Sequence, residues 1–99
     1  MRYAKRTDDN HRNVVDEFRS TMPEATVFDA SGAGNGFPDL VVGLGGRNYL
    51  FEIKDPEKCP SRRSLTDDQK EFHEGWQGQV NVAHSAAEMC AILYRINKH

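Results

Sequence analysis

The sequence has no long hydrophobic run, few cysteines and no excess of basic charge. No stretch approaches the roughly 18 apolar residues of a membrane span, and the polar, charged start does not resemble a secretory signal. Its two cysteines, Cys59 and Cys90, form neither a CxxC pair nor a disulfide framework. These absences predict a protein of a reducing compartment, the cytoplasm, without a membrane partner.

The net charge is −2, so the chain as a whole lacks the basic character typical of nucleic-acid-binding domains. Its basic residues are nevertheless clustered, and Lys58, Arg62 and Arg63 fall together in a polar stretch. These three side chains could contact DNA phosphates, or they could simply be solvated. A bound divalent cation would offset part of the acidic charge.

A chain of 99 residues predicts one domain, spanning residues 1–99, with a thin core that a partner subunit would enlarge. Hydrophobic spacing and turn residues predict the order helix, strand, strand, strand, helix, strand, helix. The fold class is α/β, with one mixed sheet flanked by helices. The predicted segments are helices at about Asp9–Met22, after Thr66 and after Ser85, and strands at Ala25–Asp29, Phe37–Gly43, Asn48–Lys54 and Val80–Ala83.

Short local signals mark the ends of these elements. Gly45-Gly46 predicts a tight hairpin turn between the second and third strands. Thr66-Asp-Asp-Gln69 and Ser85-Ala-Ala-Glu88 have the spacing of capping boxes, in which side chains satisfy the first backbone N–H groups of a helix. Phe72 and Trp76, four residues apart, are expected on the buried face of the second helix.

Two acidic residues, Asp39 and Glu52, lie six or seven residues from the turn, one on each strand of the predicted hairpin. They should therefore sit nearly opposite each other at one end of it. Adjacent buried carboxylates are unfavourable without a positive partner. Mg²⁺, which takes one or two carboxylates and keeps its remaining positions for water and phosphate, is the natural partner, and Mn²⁺ is its alternative.

Two neighbouring groups could complete such a site. Lys54 is two residues after Glu52, so its ammonium should project from the same face of the strand. There it could orient the attacking water and stabilise charge on a phosphate. The backbone carbonyl of Ile53 could be an additional metal ligand.

Three motifs in order carry a resemblance to a known family. Gly36-Phe-Pro-Asp39, Glu52-Ile-Lys54 and Leu65-Thr-Asp-Asp-Gln69 together resemble the PD-(D/E)XK nuclease superfamily, in particular its VRR-NUC branch of small phage-type nucleases. The pattern also resembles, more loosely, the archaeal-type Holliday junction resolvases. It covers roughly Asp9 to Leu93.

The resemblance implies a restriction-endonuclease-like αβββαβ core and a set of site residues. Asp39 and Glu52 would be metal ligands, Lys54 the catalytic lysine, and Gln69 a supporting residue on the following helix. Ser31 resembles a serine that resolvase-like members carry before the Pro-Asp strand, and we include it among the candidate DNA-binding residues.

One position departs from the family pattern. Members usually carry a first-helix glutamate that reaches the metal through water, and the alignment places Asn13 there. Glu17, one turn later, could substitute for it. Both remain candidates for this role.

The resemblance also implies a substrate and a setting. We expect a magnesium-dependent endonuclease acting on DNA, with branched structures such as Holliday junctions or flaps preferred. A homodimer would place one site at each of two symmetric cleavage points. The setting would be the cytoplasm of a bacterial or phage-infected cell.

Other interpretations of the same residues remain open. Taken singly, Asp39 could reflect turn chemistry after a proline, and Glu52 with Lys54 could be an exposed ion pair on a solvated strand face. Gln69 could act only in its capping box. The alternative function is a module that binds DNA or protein on the same fold without cleavage.

Overall fold

The computed structural model describes residues 10–57 and 64–98 of the chain. Within these ranges the helices are α1 (His11–Thr21), α2 (Asp67–Gly75) and α3 (Ala86–Asn97). The strands are β1 (Thr26–Asp29), β2 (Leu40–Leu44), β3 (Arg47–Ile53) and β4 (Val80–Ala83). The predicted order of elements is confirmed. No helix in the described parts of the chain has the length and apolar character needed to cross a bilayer.

The four strands form one mixed sheet in the order β1-β2-β3-β4. β1, β2 and β3 pair antiparallel, whereas β4 pairs parallel to β3. A parallel neighbour cannot be reached by a tight turn, and α2 lies in the connection that returns the chain to the sheet. The structure is therefore a small mixed α/β fold, as the sequence predicts.

The hairpin between β2 and β3 sets the register of the site. Gly45 and Gly46 both have positive φ, +60° and +82°, as a type I′ turn requires. In the resulting register Leu40 pairs with Phe51 and Val42 with Tyr49. The predicted Gly45-Gly46 hairpin is confirmed.

The main core lies between one face of the sheet and the helices α1 and α3. Val14, Val15 and Phe18 of α1 are buried, which confirms the predicted apolar face of this helix. The other side of the core comes from strand residues and from the inward face of α3. Its members include Leu40, Val42, Tyr49, Phe51, Ile53, Ala83, Ala86, Met89, Ile92 and Leu93.

The start of β2 differs from the prediction. The strand begins at Leu40 rather than Phe37, because the preceding residues form turns. Gly34 and Gly36 have positive φ, and the Phe37 N–H donates to the Gly34 carbonyl at 3.1 Å. The Phe37 ring then packs edge-on against Phe72 of α2, with ring centroids 5.4 Å apart. Aromatic packing on α2 therefore replaces strand pairing at this position.

The predicted burial of Phe72 and Trp76 is wrong for Trp76. Trp76 caps the C-terminus of α2 with 42% of its surface exposed, and Phe72 is only partly buried. The two rings stack on each other with centroids 5.0 Å apart, outside the main core. Helical spacing correctly predicted that the two rings share one face of the helix. That face is not fully buried, because α2 has only nine residues and lies at the edge of a small domain.

Candidate metal centre

The two acidic residues meet at the end of the sheet where β1, β3 and β4 end and β2 begins. Leu40 pairs with Phe51, so the antiparallel register places Asp39 beside Glu52. Both side chains are buried, with 4% of Asp39 and 2% of Glu52 exposed. The interpretation of Glu52 as part of a solvated strand face is therefore wrong.

The Asp39 carboxylate is held against the neighbouring strand. Its Oδ2 accepts a hydrogen bond from the Ile53 backbone N–H at 2.9 Å. This N–H lies at the end of β3, where no further antiparallel partner exists on β2. A buried N–H needs an acceptor, and Asp39 supplies it. This hydrogen bond fixes the position of the Asp39 carboxylate, which is also a candidate metal ligand.

Lys54 lies on the same side of β3 as Glu52, as the alternation of strand residues predicts. Its Nζ is 3.7 Å from Glu52 Oε2, and both side chains are buried. Such a pair differs from an exposed ion pair, because each charge has lost most of its contact with water. The interpretation of Glu52 and Lys54 as an exposed surface pair is therefore wrong too.

Gln69 connects α2 to the same carboxylate. Its Nε2 donates to Glu52 Oε2 at 2.9 Å, while its Oε1 accepts the Thr66 backbone N–H at 2.9 Å. The Gln69 N–H in turn donates to Thr66 Oγ1, completing the predicted capping box. The capping role of Gln69 is confirmed, and the same buried side chain contacts Glu52, whereas its role in a functional site stays a prediction.

The donor set fits a hard divalent cation. The buried carboxylates of Asp39, just before β2, and Glu52 of β3 lie at neighbouring positions, and the buried Lys54 ammonium is 3.7 Å from Glu52 Oε2. Mg²⁺ and Mn²⁺ suit oxygen ligands and retain waters when a protein supplies only one or two carboxylates. Within residues 10–57 and 64–98 there is no group of three or more His, Cys, Asp and Glu side chains placed to hold an ion. Asp39, Glu52 and the Ile53 carbonyl remain the predicted ligands.

A second polar cluster, which the sequence did not reveal, lies at the same end of the sheet. His11, the first residue of α1, is buried, and its Nε2 lies 3.2 Å from Asp29 Oδ2. Burial alone would raise the pKa of Asp29, but hydrogen bonds from Ser31 and His11 and the charge of His11 outweigh it, so the pKa lies below its usual value. His11 thereby joins α1 to β1.

Ser31 belongs to this second cluster. Its backbone N–H donates to Asp29 Oδ1 at 2.9 Å, an Asx-type turn that ends β1. The next contact along the chain ties the turn to the site, since the Ala30 N–H donates to the Asp39 carbonyl at 2.7 Å. The structure therefore gives Ser31 a local partner, and contact of Ser31 with DNA stays a prediction.

The remaining predicted residues are not brought to the two acids. Asn13 and Glu17 are exposed on α1, opposite the face formed by its buried residues. Glu17 lies close enough to Cys90 on α3 to contribute, after burial and together with Glu24, to raising the pKa of that thiol. Action of Asn13 or Glu17 through water at the metal stays a prediction. Lys58, Arg62 and Arg63 lie outside the described residues.

The chain finds no match among protein-family models, curated proteins or solved structures. The resemblance to the PD-(D/E)XK nucleases therefore rests on its ordered motifs.

Proposed function

We propose that this protein is a metal-dependent DNA endonuclease with a restriction-endonuclease-like core. The observation that carries the proposal is the convergence of four buried side chains, Asp39, Glu52, Lys54 and Gln69, at one end of the sheet. Twelve residues separate Asp39 from Glu52-Ile-Lys54, and ten separate Lys54 from Leu65-Thr-Asp-Asp-Gln69. Convergence of distant motifs on one buried point is typical of an active site.

Each residue has a role in this proposal. Asp39 and Glu52, with the Ile53 carbonyl, would hold Mg²⁺ or Mn²⁺. The metal would supply Lewis-acid stabilisation of the phosphate and activation of water. Lys54 orients the attacking water and offsets charge that develops on the phosphate oxygens. Gln69 fixes the position of Glu52, as partners of metal ligands commonly do.

The substrate class follows from what the small fold can recognise. The candidate centre presents carboxylates and an ammonium on a small α/β domain, which favours contacts to the phosphate backbone and to DNA shape over base readout. We propose branched DNA, such as junctions or flaps, as the preferred substrate. A homodimer would present two such sites related by a two-fold axis.

A non-cleaving binding module is the second candidate. It is favoured by the exposure of Asn13 and Glu17, because α1 then brings no acidic side chain to the centre from its buried face. Such a module would bind branched DNA, or a protein, with the same surface. The two candidates make opposite predictions about metal-dependent cleavage.

The test is a cleavage panel of single-stranded, duplex, flap and four-way DNA, with Mg²⁺, Mn²⁺ or chelator. We expect metal-dependent cleavage of at least one branched substrate, abolished in Glu52→Gln. Binding of these substrates without cleavage in either metal would favour the module. Cleavage by Glu52→Gln at the wild-type rate would remove the assignment of the metal centre.

A further inference from the structure

We infer that His84, held by Glu88, contacts a DNA phosphate next to the one that is cleaved. The inference rests on the proposed function and extends it to a specific substrate-contacting residue outside the four convergent side chains. It is carried by the position of His84 beside Lys54, by its paired hydrogen bonds to Glu88 and by the exposure of its ring.

The backbone places His84 at the edge of the candidate metal centre. Ile53 pairs with Ala83 in the parallel register of β3 and β4, and the Lys54 N–H donates to the Ala83 carbonyl at 3.0 Å. His84 therefore follows β4 at the position next to Lys54. Ala83 is fully buried in the main core, so alternation along the strand directs residue 84 to the side that carries Lys54. In α/β folds, ligands bind beyond the carboxyl ends of parallel strands such as these.

A third element fixes this part of the backbone. The Asn10 side chain, at the N-terminus of α1, donates its Nδ2–H to the His84 carbonyl at 3.2 Å. With β3 on one side and α1 on the other, the His84 backbone is held in place. A side chain on such a segment is positioned before substrate arrives, which lowers the entropy that binding must overcome.

Glu88 binds His84 twice and departs from the predicted capping box. Ser85 Oγ accepts the Glu88 N–H at 3.0 Å, so the first half of the box is confirmed. The reciprocal bond is different, because Glu88 Oε1 accepts the N–H of His84, at 2.6 Å, instead of that of Ser85. The same oxygen lies 2.8 Å from His84 Nδ1. Glu88 therefore orients the imidazole as well as the helix terminus.

The charge of Glu88 determines which ring nitrogen faces a substrate. Burial alone would raise its pKa, but hydrogen bonds from His84 and the charges of His84 and Arg95 outweigh it, so the pKa lies below its usual value. An ionised carboxylate only accepts hydrogen bonds, so Nδ1 must carry a proton. Nε2 is then the nitrogen available to a ligand. The His84 side chain is 39% exposed, and within the described residues its ring has no other hydrogen-bond partner than Glu88.

A phosphate is the group that suits this arrangement. An imidazolium ring donates hydrogen bonds from both nitrogens, so it can bridge the Glu88 carboxylate and a phosphate. Its Nε2–H then donates a charge-assisted hydrogen bond to a phosphate oxygen. Lys54 and the metal ligands would contact the scissile phosphate. His84 lies one strand further across the sheet and would therefore contact an adjacent phosphate. Such a contact fixes the register of the DNA strand on the protein without reading its bases.

The test measures DNA binding by the full chain in chelator, where cleavage is stopped, as a function of salt. We expect His84→Asn to weaken binding of a labelled branched substrate roughly fivefold, the size of one charged hydrogen bond to an exposed partner. The slope of log affinity against log salt should fall by about one. With metal present, KM should rise and kcat should stay within about twofold, because the contact is made equally in the ground and transition states.

Two further variants separate this contact from a structural role. Lys98→Ala removes a positive charge at the far end of α3, where Lys98 lies over the Tyr94 ring, and should leave the salt slope unchanged. His84→Lys restores a cation without the Glu88 geometry and should recover most of the affinity. A purely structural His84 would not be rescued by lysine. Identical salt slopes for His84→Asn and Lys98→Ala would overturn the inference.

The outcome for His84 is distinguishable from the outcome for the nuclease. If the wild-type protein neither binds nor cleaves any DNA in the panel, the proposed function fails. If it cleaves DNA in Mg²⁺ while His84→Asn binds as tightly as wild type, only the phosphate contact fails.

Discussion

Gln69 donates its side-chain amide to Glu52 Oε2 at 2.9 Å while its own carbonyl oxygen accepts the Thr66 N–H that opens α2. One side chain therefore links the start of a helix to a buried carboxylate 17 residues earlier. The link explains how α2, which contributes little to the main core, is held at the candidate metal centre. It also lets the cap and the site be tested separately.

Gln69→Glu should keep the cap and damage the site. A glutamate at this position can still accept the Thr66 N–H, but it sets a second carboxylate against Glu52. We expect cleavage to fall by about 10- to 100-fold, as for loss of a residue that orients a metal ligand. Thr66→Ala is the matched control, since it should cost about 1 kcal/mol of stability and leave cleavage unchanged. Equal activity of Gln69→Glu and wild type would show that Gln69 acts only in the cap.

Asp39→Asn should remove metal binding without unfolding the protein. An asparagine oxygen can still accept the Ile53 N–H, whereas Asp39→Ala leaves that N–H without its acceptor, which costs about 1–3 kcal/mol. Wild-type protein at a metal concentration 100-fold above Kd should melt about 10 °C higher than in chelator. This shift should vanish in Asp39→Asn, measured by thermal unfolding with Mn²⁺. A shift of the same size in Asp39→Asn would rule out Asp39 as a ligand.

The parts of the fold that the sequence predicted well are those set by local chemistry. The Gly45-Gly46 turn fixes the hairpin register, and that register alone brings Asp39 and Glu52 together. The cap at Thr66 and the strand at Val80–Ala83 follow from turn residues and β-branched residues in the same way. A few residues with restricted backbone or side-chain geometry were enough to place the candidate site.

The parts that could not be predicted depend on contacts between distant segments. His11 pairs with Asp29 across 18 residues, and no local pattern distinguishes a buried histidine from an exposed one at the start of a helix. The bond from Glu88 to the His84 N–H, instead of the Ser85 N–H, depends on where β4 ends beside Lys54. The exposure of Trp76 likewise depends on which distant residues pack against the end of α2.

Gly36→Ala should destabilise the protein more than any other glycine change in the loop before β2. Gly36 has a φ of +79°, and a Cβ there would overlap the Asp68 carbonyl, lying 2.6 Å from its carbon. The overlap is with the backbone of α2, so a simple side-chain movement cannot relieve it. Strain and overlap together should cost about 3 kcal/mol or more, measured by urea unfolding.

Gly34→Ala is the control that isolates the strain. Gly34 has nearly the same φ, +78°, but a Cβ there meets nothing within 4 Å. Left-handed backbone alone costs about 1–2 kcal/mol for a residue with a side chain. If Gly36→Ala and Gly34→Ala lost equal stability, close packing of the loop on α2 would not be the reason for glycine at position 36.

His73 should make the folded protein less stable as the pH falls below neutrality. Its Nε2 is buried without a hydrogen-bond partner, and burial lowers its pKa below the ordinary value of 6.5. The unfolded chain therefore binds a proton more readily than the folded chain. The contribution of neutral His73 to the free energy of unfolding is present above about pH 6.5. It is lost as the pH falls through the lowered pKa that His73 has in the folded protein.

Urea unfolding at pH 7.5, 6.5 and 5.5 would measure this loss, with the fluorescence of Trp76, the single tryptophan, as the signal. The wild-type free energy of unfolding should decrease across this series, and His73→Gln should flatten the decrease because glutamine does not titrate. Asp29 and Glu88 also have lowered pKa values, so a further loss should appear in both proteins at more acidic pH. An unchanged slope in His73→Gln between pH 7.5 and 5.5 would mean that proton uptake by another group sets the acid sensitivity.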